Sequence, residues 1–168
     1  MASLARARRT AIVAAVALLL PVGIAQASAP GDTTGTRGIG DPYYPTYGNG
    51  GYDVNHYGIH LSYVPKTDRL VGRTKIHAHA TKDLSRFNLD FVLPVKSVEV
   101  NHRKATFKQG DHELVVTPKK ALDAGQVMRV EVKYAGVPST IRSEGVKPWI
   151  RTPDGVAAVV VSRQRPPA

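Results

Sequence analysis

The chain has 168 residues, 23 Lys and Arg against 13 Asp and Glu for a net charge of +10, and no cysteine. Disulfides, cysteine metal sites and a lipid-modified N-terminal cysteine are thereby excluded, and stability has to come from a packed core. The excess positive charge suits anionic partners. The basic residues are spread along the chain without interleaved aromatics, which disfavours nucleic-acid binding.

Residues 1–27 have the pattern of an export signal. Arg6, Arg8 and Arg9 are a basic start, Ala11 to Leu20 is an uncharged apolar run, and Ala25-Gln26-Ala27 is a small-x-small cleavage site. The apolar run is shorter than the roughly 20 residues that span a bilayer and is followed by Pro21 and Gly23, which argues against a retained anchor. Cleavage after Ala27 leaves 141 of the 168 residues, one domain's length, and lowers the net charge from +10 to +7. The expected location is secreted, with no membrane contact after cleavage. Residues 28–51 are rich in Gly, Thr, Pro and Tyr without a hydrophobic period, and form a linker or lacing segment. Tyr43 and Tyr44 are expected to pack on the domain.

From Tyr52 the pattern turns to strands. Tyr57, Ile59, Leu61 and Tyr63 alternate with small or polar residues, and Pro65-Lys66-Thr67-Asp68 is a turn. Ile76 and Ala78 share one face of the next strand, Lys75, His77 and His79 the other. Phe87, Leu89 and Phe91 alternate, Asn101-His102 and Gln109-Gly110-Asp111 are turns, and Met128, Val130, Val132 and Tyr134 alternate with Arg129, Glu131 and Lys133. About seven short strands with one apolar face each predict an all-β fold, an antiparallel β-sandwich or open barrel over residues 52–155. Residues 156–168 turn from apolar to Arg- and Pro-rich, as text in a shifted reading frame does, and are expected to be an aberrant or disordered tail.

Gly48-Asn49-Gly50-Gly51-Tyr52-Asp53-Val54-Asn55-His56-Tyr57 resembles the opening of the N-terminal domain of secreted aminopeptidase N-like zinc metallopeptidases, the gluzincins. Asp68-Arg69-Leu70-Val71-Gly72, Phe87-Asn88-Leu89-Asp90, Leu122-Asp123-Ala124-Gly125 and Val132-Lys133-Tyr134-Ala135-Gly136-Val137-Pro138 are similar to later pieces of that domain, in the same order. Asn101-His102 departs from the family's Asn-Gly turn. The resemblance implies a saddle-like β-sandwich that scaffolds the enzyme and shapes substrate access, with the family's catalytic domain as partner. It also implies zinc in the intact protein, held by His-Glu-x-x-His and a downstream Glu on that domain, and a Gly-x-Met-Glu-Asn segment for the substrate amine.

None of that chemistry is legible here. The one His-Glu pair, His112-Glu113, has Val116 at the fifth position and lies in a strand pattern. Met128 sits in no such exopeptidase segment, and Gln164, near where a substrate-facing polar residue falls in the family, is not assigned that role. No catalytic, cofactor-binding or metal residue is therefore expected in the chain, which is expected to be truncated before the catalytic domain and inactive alone. The alternative is a stand-alone secreted binding module, and a third arrangement is a subunit docking in trans on a separate catalytic chain.

Other chemistry is weaker. A turn at Lys66–Asp68 would pair residues whose numbers sum to about 135, setting Ile59 against Ile76, Tyr57 against Ala78 and His56 against His79. His60 and His77 would share that outer face, which is expected to be solvated rather than a metal site. No Gly-x-Ser-x-Gly elbow or Gly-rich phosphate loop is present. Trp149 is expected to pack at the core or an edge. A severed domain is expected to expose an apolar patch where its partner sits.

Overall fold

The computed structural model describes residues 33–42, 48–142, 147, 149–152 and 155–158. The export signal, Tyr43 and Tyr44, and Gln164 with the rest of 159–168 lie outside the described residues. The fold is all-β and antiparallel. Its strands are β1 (Tyr52–Val64), β2 (Arg69–Ala80), β3 (Phe87–Asp90), β4 (Val95–Val100), β5 (Arg103–Lys104), β6 (Thr106–Gln109), β7 (Glu113–Thr117), β8 (Val127–Gly136), β9 (Trp149–Thr152) and β10 (Gly155–Ala158). Two one-turn 3-10 helices, Pro65–Thr67 and Pro138–Thr140, interrupt them. Among the described residues no helix is long and apolar enough to cross a membrane.

A five-stranded sheet in the order β1-β2-β8-β4-β5 faces a three-stranded sheet, β3-β7-β6, with β9 and β10 as a separate hairpin. The period-2 patterning decides which residues meet. On β2 the even positions Leu70, Thr74, Ile76, Ala78 and Ala80 are buried, and Arg69, Val71, Lys75, His77 and His79 face out. On β8 Met128, Val130, Val132 and Tyr134 turn to the same core. Phe87, Leu114 and Val116 of the small sheet are almost fully buried against them, and Leu84 and Leu122 close one end.

The first hairpin folds in a different register from the one the turn residues suggest. Val64 pairs with Arg69, so the numbers sum to 133, and Tyr57 lies opposite Ile76 and Ile59 opposite Thr74. His56 meets His77, and His79 meets Asp53. The cause is the turn. Pro65 fixes φ at the start of a 3-10 turn, and Asp68 ends it in the left-handed region at φ 52°. Asp68 is buried, its carboxylate accepting from Tyr63 Oη at 2.7 Å and from the Ser139 N–H at 3.1 Å. Burial alone would raise this carboxyl, but the Ser139 and Tyr63 donors and the charge of Arg151 outweigh it and hold it below the ordinary carboxylate value.

A bulge between Val54 and His56 then changes parity along β1. Tyr52 and Val54 on one side of it, and Tyr57, Ile59, Leu61 and Tyr63 on the other, all align with inward residues of β2. The Asn101-His102 turn holds both residues at positive φ, 49° and 62°, a conformation asparagine tolerates well. The lacing segment is stitched on by backbone bonds, with Gly35 N–H donating to Arg86 C=O and Thr36 and Gly50 bonding reciprocally.

Candidate docking face

The small sheet is narrower than the large one, its strands running four to five residues. β1, at the edge of the large sheet, has β2 as its only neighbouring strand among the described residues. Tyr57, Ile59 and Leu61 point to the core side, yet are 55%, 59% and 57% exposed. Three large apolar side chains exposed in a row on the inner side of a sheet make this edge the candidate docking face. Beside them opens a cleft of about 460 Å³, lined by Tyr52, Tyr57, Ile59, Thr74, Phe91 and Tyr134, with Asn49 and Asp90 on its polar side.

The floor of this cleft is held by hydrogen bonds and ring contacts. Tyr134 lies on Gly72, bonds Thr74 Oγ1 through its hydroxyl at 3.1 Å and meets Phe91 edge-on at 4.8 Å. Tyr52 donates its hydroxyl to Asn88 C=O at 2.8 Å and packs edge-on to Phe87 at 5.8 Å. Burial, together with Tyr57, Asp90 and Glu113, holds its phenol well above the ordinary tyrosine value, so it stays a neutral donor.

Glu113 is a perturbed acid on this side. It is buried on β7, opposite Asp90 on β3, and neither carboxylate oxygen has a hydrogen bond. Its nearest cation is Arg37 of the lacing segment, 3.6 Å away. Burial and the Asp90 charge raise its carboxyl above the ordinary value, and Arg37 offsets part of the rise.

The other residues singled out in the sequence fall elsewhere. His56 and His77 meet edge-on at 5.9 Å on the outer face, His60 lies opposite Arg73, and His79 lies opposite Asp53, so the four histidines do not converge. Glu131 takes Lys133 at 3.2 Å and Lys75 at 3.9 Å on the same face, which is a solvated, ion-paired surface. Trp149 packs edge-on to Tyr63 at 5.2 Å, at the edge of the core.

Comparison with known proteins follows this geometry. No family profile matches the chain. No curated protein matches it. Solved structures do. The likeness is to M1 zinc metallopeptidases. One from Deinococcus radiodurans is 32% identical, with a TM-score of 0.54, over 60% of this chain and 24% of that one. A point mutant from the same organism is 31% identical, with a TM-score of 0.57, over 67% of this chain and 27% of that one. A two-domain M1 zinc metallopeptidase mutant bound to L-arginine is 29% identical, with a TM-score of 0.58, over 68% and 28%. The chain thus spans about a quarter of the length of the solved enzymes it matches.

The zinc of those enzymes does not fit the residues described here. Among them, no three His, Cys, Asp or Glu side chains come together as a metal site. His112-Glu113 opens a strand, where Val116, in the position of a second histidine, is buried in the core. A helical His-Glu-x-x-His places its ligands one turn apart on one face, and a strand cannot. Glu113 lies opposite Asp90 with Arg37 3.6 Å away, and no histidine pair converges on it.

Proposed function

We propose that this chain is the N-terminal β-sandwich of an exported M1-type zinc aminopeptidase, a non-catalytic domain that scaffolds a zinc catalytic domain and walls its substrate path. One observation carries the reading: 60–68% of the chain aligns at 29–32% identity with enzymes of which it spans only 24–28%. The remaining three quarters of such an enzyme are where peptide hydrolysis and zinc would reside. The open face of β1 is where that catalytic domain would sit, because Tyr57, Ile59 and Leu61 are aligned inward and left uncovered. The export part of this reading is supported by the basic start, apolar run and small-x-small site of residues 1–27.

The domain's part in peptide hydrolysis is then mechanical. It fixes a wall through a packed core and contributes no nucleophile, general base or metal ligand. Purified chain supplied with Zn²⁺ should not hydrolyse a fluorogenic aminoacyl-amide. Turnover abolished by a chelator and restored by zinc would overturn this reading, and so would a chain that remains strictly monomeric and binds no hydrophobic dye at β1.

A further inference from the structure

On the side of the molecule formed by the β4–β5 turn and the loop after β7, a second cleft of about 230 Å³ has a different chemistry. Its charged lining residues are Arg103, Lys119 and Lys120, and no Asp or Glu lines it. None of the three cations is in an ion pair among the described residues. Elsewhere on the protein Lys75 and Lys133 share Glu131, and Arg37 has Glu113.

The polar groups that remain are donors. Gln126 accepts from the Asp123 N–H through Oε1 at 3.0 Å, which leaves its amide NH2 to donate. Asn101 is used up on both sides, its Nδ2 donating to Val127 C=O at 3.2 Å and its Oδ1 accepting from Arg129 N–H at 2.8 Å. That clamp fixes the turn that carries Arg103. The opposite wall is tethered too. Pro118 and Leu122 are buried, and Leu122 exchanges backbone hydrogen bonds with Leu84 at 2.8 and 2.9 Å, so Lys119 and Lys120 sit on a loop pinned at both ends.

We propose that this cleft is an anion site for a phosphate group, of the size of phosphate, pyrophosphate or a phosphomonoester. A planar guanidinium and two ammonium groups around one concavity, with an amide donor at its edge, match the acceptor-only surface of a phosphate. The cleft is separate from the β1 face and shares no lining residue with the cleft beside it. It therefore stands whether or not the domain works with a zinc peptidase.

The test is a titration of the purified chain with inorganic pyrophosphate at low salt, read by amide chemical shifts and by calorimetry. Saturable binding is expected, with shifts confined to residues 100–103 and 118–126. Arg103→Ala with Lys119→Ala and Lys120→Ala should weaken it at least about tenfold, since charge-assisted hydrogen bonds are lost. The same charge removed at Lys66, Lys96 and Lys108 should leave it unchanged. The charge-preserving set Arg103→Lys, Lys119→Arg and Lys120→Arg should keep measurable binding, and circular dichroism melting verifies that each variant folds. No saturation at millimolar pyrophosphate would overturn the proposal, as would equal weakening by the control set. Binding of a single-stranded oligonucleotide without binding of pyrophosphate would also overturn it, because that is a diffuse field acting on a polymer.

Discussion

Gly72→Ala is the substitution whose effect the packing fixes most sharply. Gly72 lies on β2 opposite Tyr134 of β8, and an added Cβ would fall 2.2 Å from Tyr134 Cε2, 2.4 Å from Cζ and 2.7 Å from the hydroxyl oxygen. The ring must move. It cannot do so freely, because its hydroxyl is bonded to buried Thr74 and its face meets Phe91. Overpacking of a core costs about 1–3 kcal/mol. The lost buried hydrogen bond and displaced aromatic contact cost about 0.5–1.5 kcal/mol each. Alanine recovers roughly 0.5–1 kcal/mol over glycine in a strand. The net loss is about 1–5 kcal/mol, measured by urea denaturation with unchanged m. In a Tyr134→Ala background the same substitution should cost almost nothing, which a double-mutant cycle reads directly. A Gly72→Ala chain within about 0.5 kcal/mol of the parent would refute the reasoning.

Three further outcomes follow from other parts of the fold. Glu113 has a raised carboxyl, so its contribution to stability is complete below the ordinary glutamate value and is lost as pH rises through the raised one. Glu113→Gln should therefore stabilise the domain at neutral pH, by about 1 kcal/mol because Arg37 at 3.6 Å already offsets part of the cost of the buried charge, and have little effect in acid. Melting curves across pH check this, and a destabilised variant at pH 7 contradicts it. Asp68 acts in the opposite sense, since its lowered carboxyl stabilises above the ordinary aspartate value and loses that as pH falls; Asp68→Asn should flatten the acid limb of the same curves. Ile59→Ser with Leu61→Ser should change stability by less than about 1 kcal/mol, because both side chains are already exposed. The pair should nonetheless reduce binding of a hydrophobic dye, and an unchanged dye signal would mean the face is not the apolar one.

Much of the sheet was written in the sequence as period-2 alternation. Met128 to Tyr134 and Leu70 to Ala80 sit where their alternation puts them, because a strand's side chains divide between two faces whatever its neighbours. The His56–His77 pairing was not legible from the turn residues alone. Counting from the turn centred it one residue too late, and Pro65 with the left-handed Asp68, locked by Tyr63 and by Ser139 71 residues on, sets the closing pair at Val64 and Arg69. The bulge after Val54 lets Tyr52 and Val54 pack on the core while Tyr57, Ile59 and Leu61 still align with inward residues of β2, a tertiary demand that no local pattern carries. The exposed row Tyr57, Ile59 and Leu61 looked like core in the sequence, and the fold leaves it on the edge strand of the large sheet, more than half exposed. The cationic cleft gave a faint signal, Lys119-Lys120 after Pro118, but Arg103 joins it only through the fold. Glu113 looked like half of a zinc motif and is a buried carboxylate facing Asp90 and paired with Arg37.

The most direct test of the account is to sequence the gene through and beyond codon 168 and translate every frame. The account predicts His-Glu-x-x-His and a Gly-x-Met-Glu-Asn segment there, in this frame or another, encoding the zinc domain that covers β1. Absence of both from all frames over the several hundred codons that such an enzyme needs would contradict it and leave a secreted binding module in its place.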